Sequence, residues 1–177
     1  MADFSSAFNN VLANEGGYVN DPSDPGGETY KGIARKIFTK WDGWLLVDTA
    51  KRKSDFPANL EQDTDLQQRV KNFYEVNFWD KVNGDNITNQ AVATSIFDFA
   101  VNGGVSTSAS LAQMVIGEKT DGVLGQNSVA ALNAFDAEHF LASFTLAKIA
   151  RYIHIVKKRP ESRKYFYGWV CRALGEN

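Results

Sequence analysis

The residue best placed to do chemistry is Glu15. Phe4, Phe8, Val11 and Leu12 recur at helical spacing, and Glu15 stands four positions beyond Val11, so its carboxyl falls on or beside the face that the helix buries. It also occupies the last helical turn, just ahead of Gly16-Gly17, a pair suited to ending a helix. Removal from water and the partial negative charge of a helix C-terminus both disfavour the ionised form. A carboxyl held protonated near neutral pH is what protonation of a leaving oxygen requires. The two glycines leave room for a bulky sugar to approach. The plainer reading is a glutamate that ends a helix and points to solvent.

The segment that follows supplies partners. Asp21, Asp24 and Glu28 lie close behind Glu15, and glycoside hydrolysis typically uses two carboxyl groups in unlike environments, one protonated and one ionised. Asp24, in a turn of Ser, Asp, Pro and Gly, is expected to stay ionised and can orient a water, to which Thr29 can offer a second hydrogen bond. The same residues have ordinary uses: Asp21 and Asp24 suit turns, and Thr29 can pair with backbone.

Other chemistries fit less well. His139 and His154 are the only histidines and no His-Glu-x-x-His run occurs, so a zinc site lacks ligands. Cys171 is the single cysteine, which rules out an intrachain disulfide, and both it and His154 fall in helical patterns without a nucleophile setting. A calcium loop starting at Asp21 would put Gly32 at its twelfth position, where an acid is needed. No Gly-rich phosphate loop or Gly-x-Ser-x-Gly elbow is present, and no metal or cofactor is implied.

The elements that must position these groups are mainly helices. Asp3 is a plausible N-cap for a first helix of about three turns. Residues 19–32, with Pro22, Pro25, Gly26 and Gly27, read as a loop or short irregular hairpin, and helical character is expected to return at Ile33. Apolar periodicity predicts further helices over 65–76, 89–102, 106–116, 127–135, 137–158 and 161–174. Asp121-Gly122-Val123-Leu124-Gly125 reads as a tight turn feeding a helix, with Asn127 or Ser128 near its cap. Trp79, Tyr165, Phe166, Tyr167 and Trp169 can line a sugar groove or simply fill a core. Asn83-Gly84-Asp85-Asn86 reads as a turn, and the boundary between two lobes, 1–88 and 89–177, is placed there.

Composition bounds the partners. With 177 residues, 44% hydrophobic and 23% charged, the chain suits one domain or two small lobes, and no apolar run is long enough to span a membrane. A net charge of -2 argues against nucleic acid. The C-terminal end is locally basic, with Arg151, Lys157, Lys158, Arg159, Arg163, Lys164 and Arg172, which suits either a solvated helix face or attraction to an anionic polymer such as cell wall. The opening residues lack the basic start and apolar core of a signal peptide, so synthesis in the cytoplasm is expected.

The run from Glu15 through Gly16-Gly17-Tyr18-Val19-Asn20-Asp21-Pro22-Ser23-Asp24-Pro25-Gly26-Gly27-Glu28-Thr29-Tyr30-Lys31-Gly32 to Ile33 resembles the signature of the glycoside hydrolase 108 family, lysozyme-like N-acetylmuramidases of phages, prophages and bacterial secretion loci. Asp98-Phe99-Ala100-Val101-Asn102-Gly103-Gly104 and the stretch from Asp121 to Leu132 resemble the helical peptidoglycan-binding module that accompanies that family. The resemblance implies a mainly α, lysozyme-like fold of two small lobes with a cleft, residues 89–177 being the wall-binding lobe. It implies cleavage of the β-1,4 bond between N-acetylmuramic acid and N-acetylglucosamine, with Glu15 as the catalytic acid. Asp24 lies nine positions later, similar to the Glu, Asp, Thr arrangement of phage-type lysozymes, whereas Thr29 arrives one position early for it. Tyr18, Asn20, Tyr30 and Asn102 are the expected substrate contacts. The implied partner is bacterial peptidoglycan, met in the periplasm or outside the cell after export by a holin or a secretion system; some relatives carry the label secretion activator. The rival is a non-catalytic wall-binding or secretion-accessory protein that kept the fold.

Overall fold

The computed structural model describes residues 1–12, 16–21 and 26–175. These form eight α-helices and one small antiparallel sheet. The chain divides into two compact units: Phe8–Asn77, and Met1–Ala7 together with the chain from Phe78 onward. The division falls inside the first helix, α1 (Phe4–Leu12). Its start is capped as the sequence suggests, Asp3 Oδ1 accepting the Ser6 N–H at 2.8 Å. Of the expected stripe, Phe4, Phe8 and Val11 are buried and Leu12 is half-buried. The stop expected at Gly16-Gly17 involves residues 13–15, which lie outside the described residues.

In the Phe8–Asn77 unit, the segment read as a loop or short hairpin is a three-stranded sheet of β1 (Tyr18–Asn20), β2 (Glu28–Tyr30) and β3 (Ile33–Ala34), in that order. Tyr18 pairs with Tyr30 and Val19 with Thr29 across β1 and β2, and Tyr30 pairs with Ile33 across β2 and β3. The expected return of helix at Ile33 is therefore corrected: Ile33 opens a strand. The cause is the two-residue turn Lys31-Gly32, where both residues have positive φ, 42° and 76°, the combination that closes a tight hairpin with the right twist. Lys31 is held in this uncommon conformation by its ammonium, 2.7 Å from both Glu61 Oε2 and Gln67 Oε1. Helix α2 (Gly43–Ala50), which the periodicity did not single out, and α3 (Thr64–Tyr74), capped by Asp63, complete the unit. A π-helical turn, Glu75–Trp79, follows α3. Tyr30, Ile33, Val47, Leu60, Leu66, Val70 and Tyr74 form the core.

The other unit holds α4 (Gln90–Gly103), α5 (Val105–Val115), α6 (Gln126–Ala134), α7 (Ala137–Lys158) and α8 (Arg163–Leu174). These match the predicted helices to within two residues at each end. Phe4 packs on Trp79 and Phe97 with ring centroids 5.6 and 5.9 Å apart. Trp79 is fully buried, its indole N–H bound to Asp85 Oδ1 at 2.8 Å, so of its two readings the core one holds. The Asp121–Gly125 turn is a structural device. The buried Gln113 amide donates to Asp121 Oδ1, the Val123 carbonyl and Ser128 Oγ, while its oxygen accepts from Gly122 N–H at 3.0 Å. One side chain thereby ties α5, the turn and the start of α6 together.

Candidate functional site

Glu15 and Asp24, the two carboxyls expected to do the chemistry, lie outside the described residues. Around them in the sequence, Gly16 and Gly17 are exposed, and a Cβ built on either would meet no atom of the described residues within 4 Å. Among the described residues, nothing closes off the backbone at Gly16 and Gly17.

The sheet brings Tyr18, Asn20, Thr29 and Tyr30 together. Strand alternation puts Tyr18, Asn20, Glu28 and Tyr30 on one face and Thr29, with Val19 and Ala34, on the other. Thr29 is half-buried, and its hydroxyl makes a long contact of 3.4 Å to the Gly27 carbonyl. Asn20 is exposed at the end of β1. Tyr30 has no exposed surface: its ring is in the core and its hydroxyl accepts from Gln67 Nε2 at 2.9 Å. Burial pushes its phenol up to about 12.

Glu28 sits in a closed charge cluster that sequence reasoning missed. Its Oε2 is 2.9 Å from Arg35 Nε and its Oε1 2.5 Å from Lys51 Nζ. Arg35 also grips Asp48 with both terminal nitrogens, at 3.0 and 2.7 Å, and Lys51 reaches Asp48 Oδ1 at 3.0 Å. Two carboxylates and two cations balance, and the Arg35 hydrogen bonds hold the Asp48 carboxyl below its usual range. Tyr18 borders the cluster, with Lys51 Nζ 5.9 Å from its ring centre, and its phenol is pushed up by burial first and by the Glu28 charge second. Arg35 is seven residues from Glu28 and Lys51 twenty-three, spacings that carry no signal in an irregular segment. Both Glu28 oxygens are engaged, so this carboxylate braces the sheet.

Asn102 belongs to the other unit. It stands in the last turn of α4, and its Nδ2 donates to the Tyr152 hydroxyl at 2.8 Å. Arg172 on α8, part-buried like its partner, contacts Asp98 Oδ1 at 3.1 and 2.9 Å, one helical turn before Asn102.

A mainly α chain with a small sheet after its first helix, carrying the Glu15–Ile33 run, defines a class, and comparison with known families identifies it. Residues 8–104 match the model described as glycosyl hydrolase 108, and residues 108–174 match the model described as predicted peptidoglycan domain. The first match spans more than half of the chain: the protein belongs to the glycosyl hydrolase 108 family, and is a glycoside hydrolase with a peptidoglycan domain. The lysozyme-like fold expected from the sequence is supported by a solved structure, that of Brucella abortus SagA. It is similar over 98% of this chain and 90% of that one, with 28% identity and a TM-score of 0.73. No curated protein matches.

Proposed function

We propose that this protein is an N-acetylmuramidase that cuts the β-1,4 bond between N-acetylmuramic acid and N-acetylglucosamine in bacterial peptidoglycan. The observation that carries the reading is the pairing, on one chain, of a glycosyl hydrolase 108 match over 8–104 with a peptidoglycan domain over 108–174. In this reading Glu15 protonates the glycosidic oxygen. The buried stripe of Phe4, Phe8 and Val11, which Glu15 extends in the sequence, and the open space that the described residues leave at Gly16 and Gly17 both support that role.

Asp24 then activates a water on the opposite face of the sugar, and Thr29, whose hydroxyl is only weakly engaged, supplies a second hydrogen bond to it. Attack by water rather than by carboxylate inverts the anomeric centre, which calls for carboxyl groups about 6.5–9.5 Å apart rather than the about 5–5.5 Å of a retaining pair. Asn20 and the exposed part of Tyr18 contact sugar. Tyr30, with no exposed surface, acts by fixing β2 from behind. The protein meets its substrate in the periplasm or outside the cell, delivered by a holin or a secretion system.

Digestion of purified peptidoglycan tests this directly. Mass spectrometry of borohydride-reduced products is expected to find muramitol at the new ends, and NMR of the fresh digest the α-anomer first. New glucosaminitol ends, or release of free stem peptide without glycan cleavage, would contradict the assignment.

A further inference from the structure

A pocket of about 200 Å³ opens within the unit that holds α4 to α8, and Asn102 is one of its walls. Arg151, Tyr152 and Arg159 on or just after α7, Trp169 on α8 and Phe99 on α4 supply the others. Trp169 stacks on Tyr152 at 5.3 Å and on the exposed Tyr165 at 5.9 Å, a column of rings running from core to solvent. Arg151 and Arg159 are both exposed, and neither has a carboxylate partner among the described residues. Two unpaired guanidinium groups beside an aromatic wall are an arrangement that favours an anion with an apolar neighbour.

The polar groups at the back have the matching hand. Tyr152 accepts from Asn102, so its own O–H proton is left to donate, and burial pushes its phenol up, which keeps that proton in place. Asn102 keeps a second amide N–H. The volume is below the roughly 300–1,000 Å³ of a drug-sized site and suits one small group rather than a whole disaccharide. The Asp98–Arg172 pair bolts α8 onto α4, and so fixes Trp169, three residues before Arg172, opposite Asn102.

We propose that this pocket binds a carboxylate borne on a small, partly apolar group of the wall polymer, with Arg151 and Arg159 as charge partners and Trp169 as the apolar wall. The proposal rests on the peptidoglycan reading above. Two parts of that polymer carry such a group: the lactyl ether of muramic acid where its stem peptide has been removed, since the stem otherwise occupies that carboxyl as an amide, and the free end of the stem peptide. Both present a carboxylate next to a methyl-bearing carbon.

Calorimetric titration of the intact protein separates the cases. The ligands are the disaccharide N-acetylglucosaminyl-N-acetylmuramic acid with its stem peptide, the same disaccharide without it, the stem peptide alone with free or amidated carboxyl ends, and chitobiose, which has no carboxylate. The disaccharides are end products of a muramidase and are not consumed. Binding is expected for carboxylate-bearing ligands and not for chitobiose. Arg151→Ala with Arg159→Ala should weaken it about tenfold or more, with partial retention in the double lysine variant. Retention of binding by the stem-free disaccharide identifies the lactyl group, and its transfer to the peptide with sensitivity to amidation identifies the stem. In the unaltered protein the Trp169 indole N–H resonance should shift with the bound ligand. Equal affinity for chitobiose, an unaffected Arg double variant, or an unmoved Trp169 resonance would overturn the proposal. Failure of the muramidase reading looks different: the unaltered protein would release no muramitol ends, whatever the pocket binds.

Discussion

At Glu28 both carboxylate oxygens are occupied by cations, and the consequence is a test that separates a brace from a catalyst. Glu28→Ala leaves Arg35 and Lys51 without one of their two partners and should lower stability by about 1–3 kcal/mol, with the turnover of the remaining folded protein little changed. Thermal melting together with a cleavage assay on folded protein reads both; a large loss of turnover at unchanged melting temperature would make Glu28 part of the chemistry. Tyr30 gives a second prediction. Its phenol is raised from about 10 to about 12, so the unfolded chain loses that proton first as pH rises. The stabilisation is complete below pH 10 and is lost as pH climbs through 12, roughly 2–3 kcal/mol in all. Denaturant midpoints across that window should fall, and in Tyr30→Phe the corresponding part of the slope should vanish. At this scale the sequence is a partial guide. The expectation at Glu15 rests on neighbours in the sequence alone, a stripe, a helix end and two glycines. The engagement of Glu28 depends on Arg35 and Lys51, and the burial of Tyr30 on Gln67 and Leu60, which only the folded chain brings near.

The elements were legible where their signals are periodic. Helices α4 to α8 carry stripes long enough to fix their positions, and Asp3, Asp63, Asn89 and Asp136 each sit where a capping side chain belongs. Strand β3 was hidden because it has two residues and follows a turn that uses a lysine where asparagine or glycine is usual. The Asp121–Gly125 turn shows both sides. Its glycines announced a turn, but the Gln113 side chain that holds it reads in the sequence as an ordinary helix residue. Gly122 has φ +79° and a Cβ there would stand 2.4 Å from Ser106 Oγ. Gly122→Ala therefore combines an unfavourable backbone with a clash and should cost about 1–3 kcal/mol, measured as a lower denaturation midpoint. A midpoint equal to that of the unaltered protein would mean that the turn relaxes freely and that Gln113 does not fix it.

For the molecule as a whole, the family boundaries and the compact units divide the chain differently. The glycosyl hydrolase match runs through α4, up to residue 104, whereas α4 packs in the unit that also contains the peptidoglycan match. Residues 1–7 join that same unit through the Ala2 N–H to Ile87 carbonyl bond and through Phe4. One helix, α1, thus belongs to both units and leads in sequence to Glu15. Glu15 is the proposed acid for glycan cleavage. The most direct measurement is the rate of reducing-end release from purified peptidoglycan by Glu15→Gln against the unaltered protein, both shown to melt alike. A fall of about 10²–10⁴-fold with binding to the wall retained is expected if Glu15 is the acid; an unchanged rate would contradict that role.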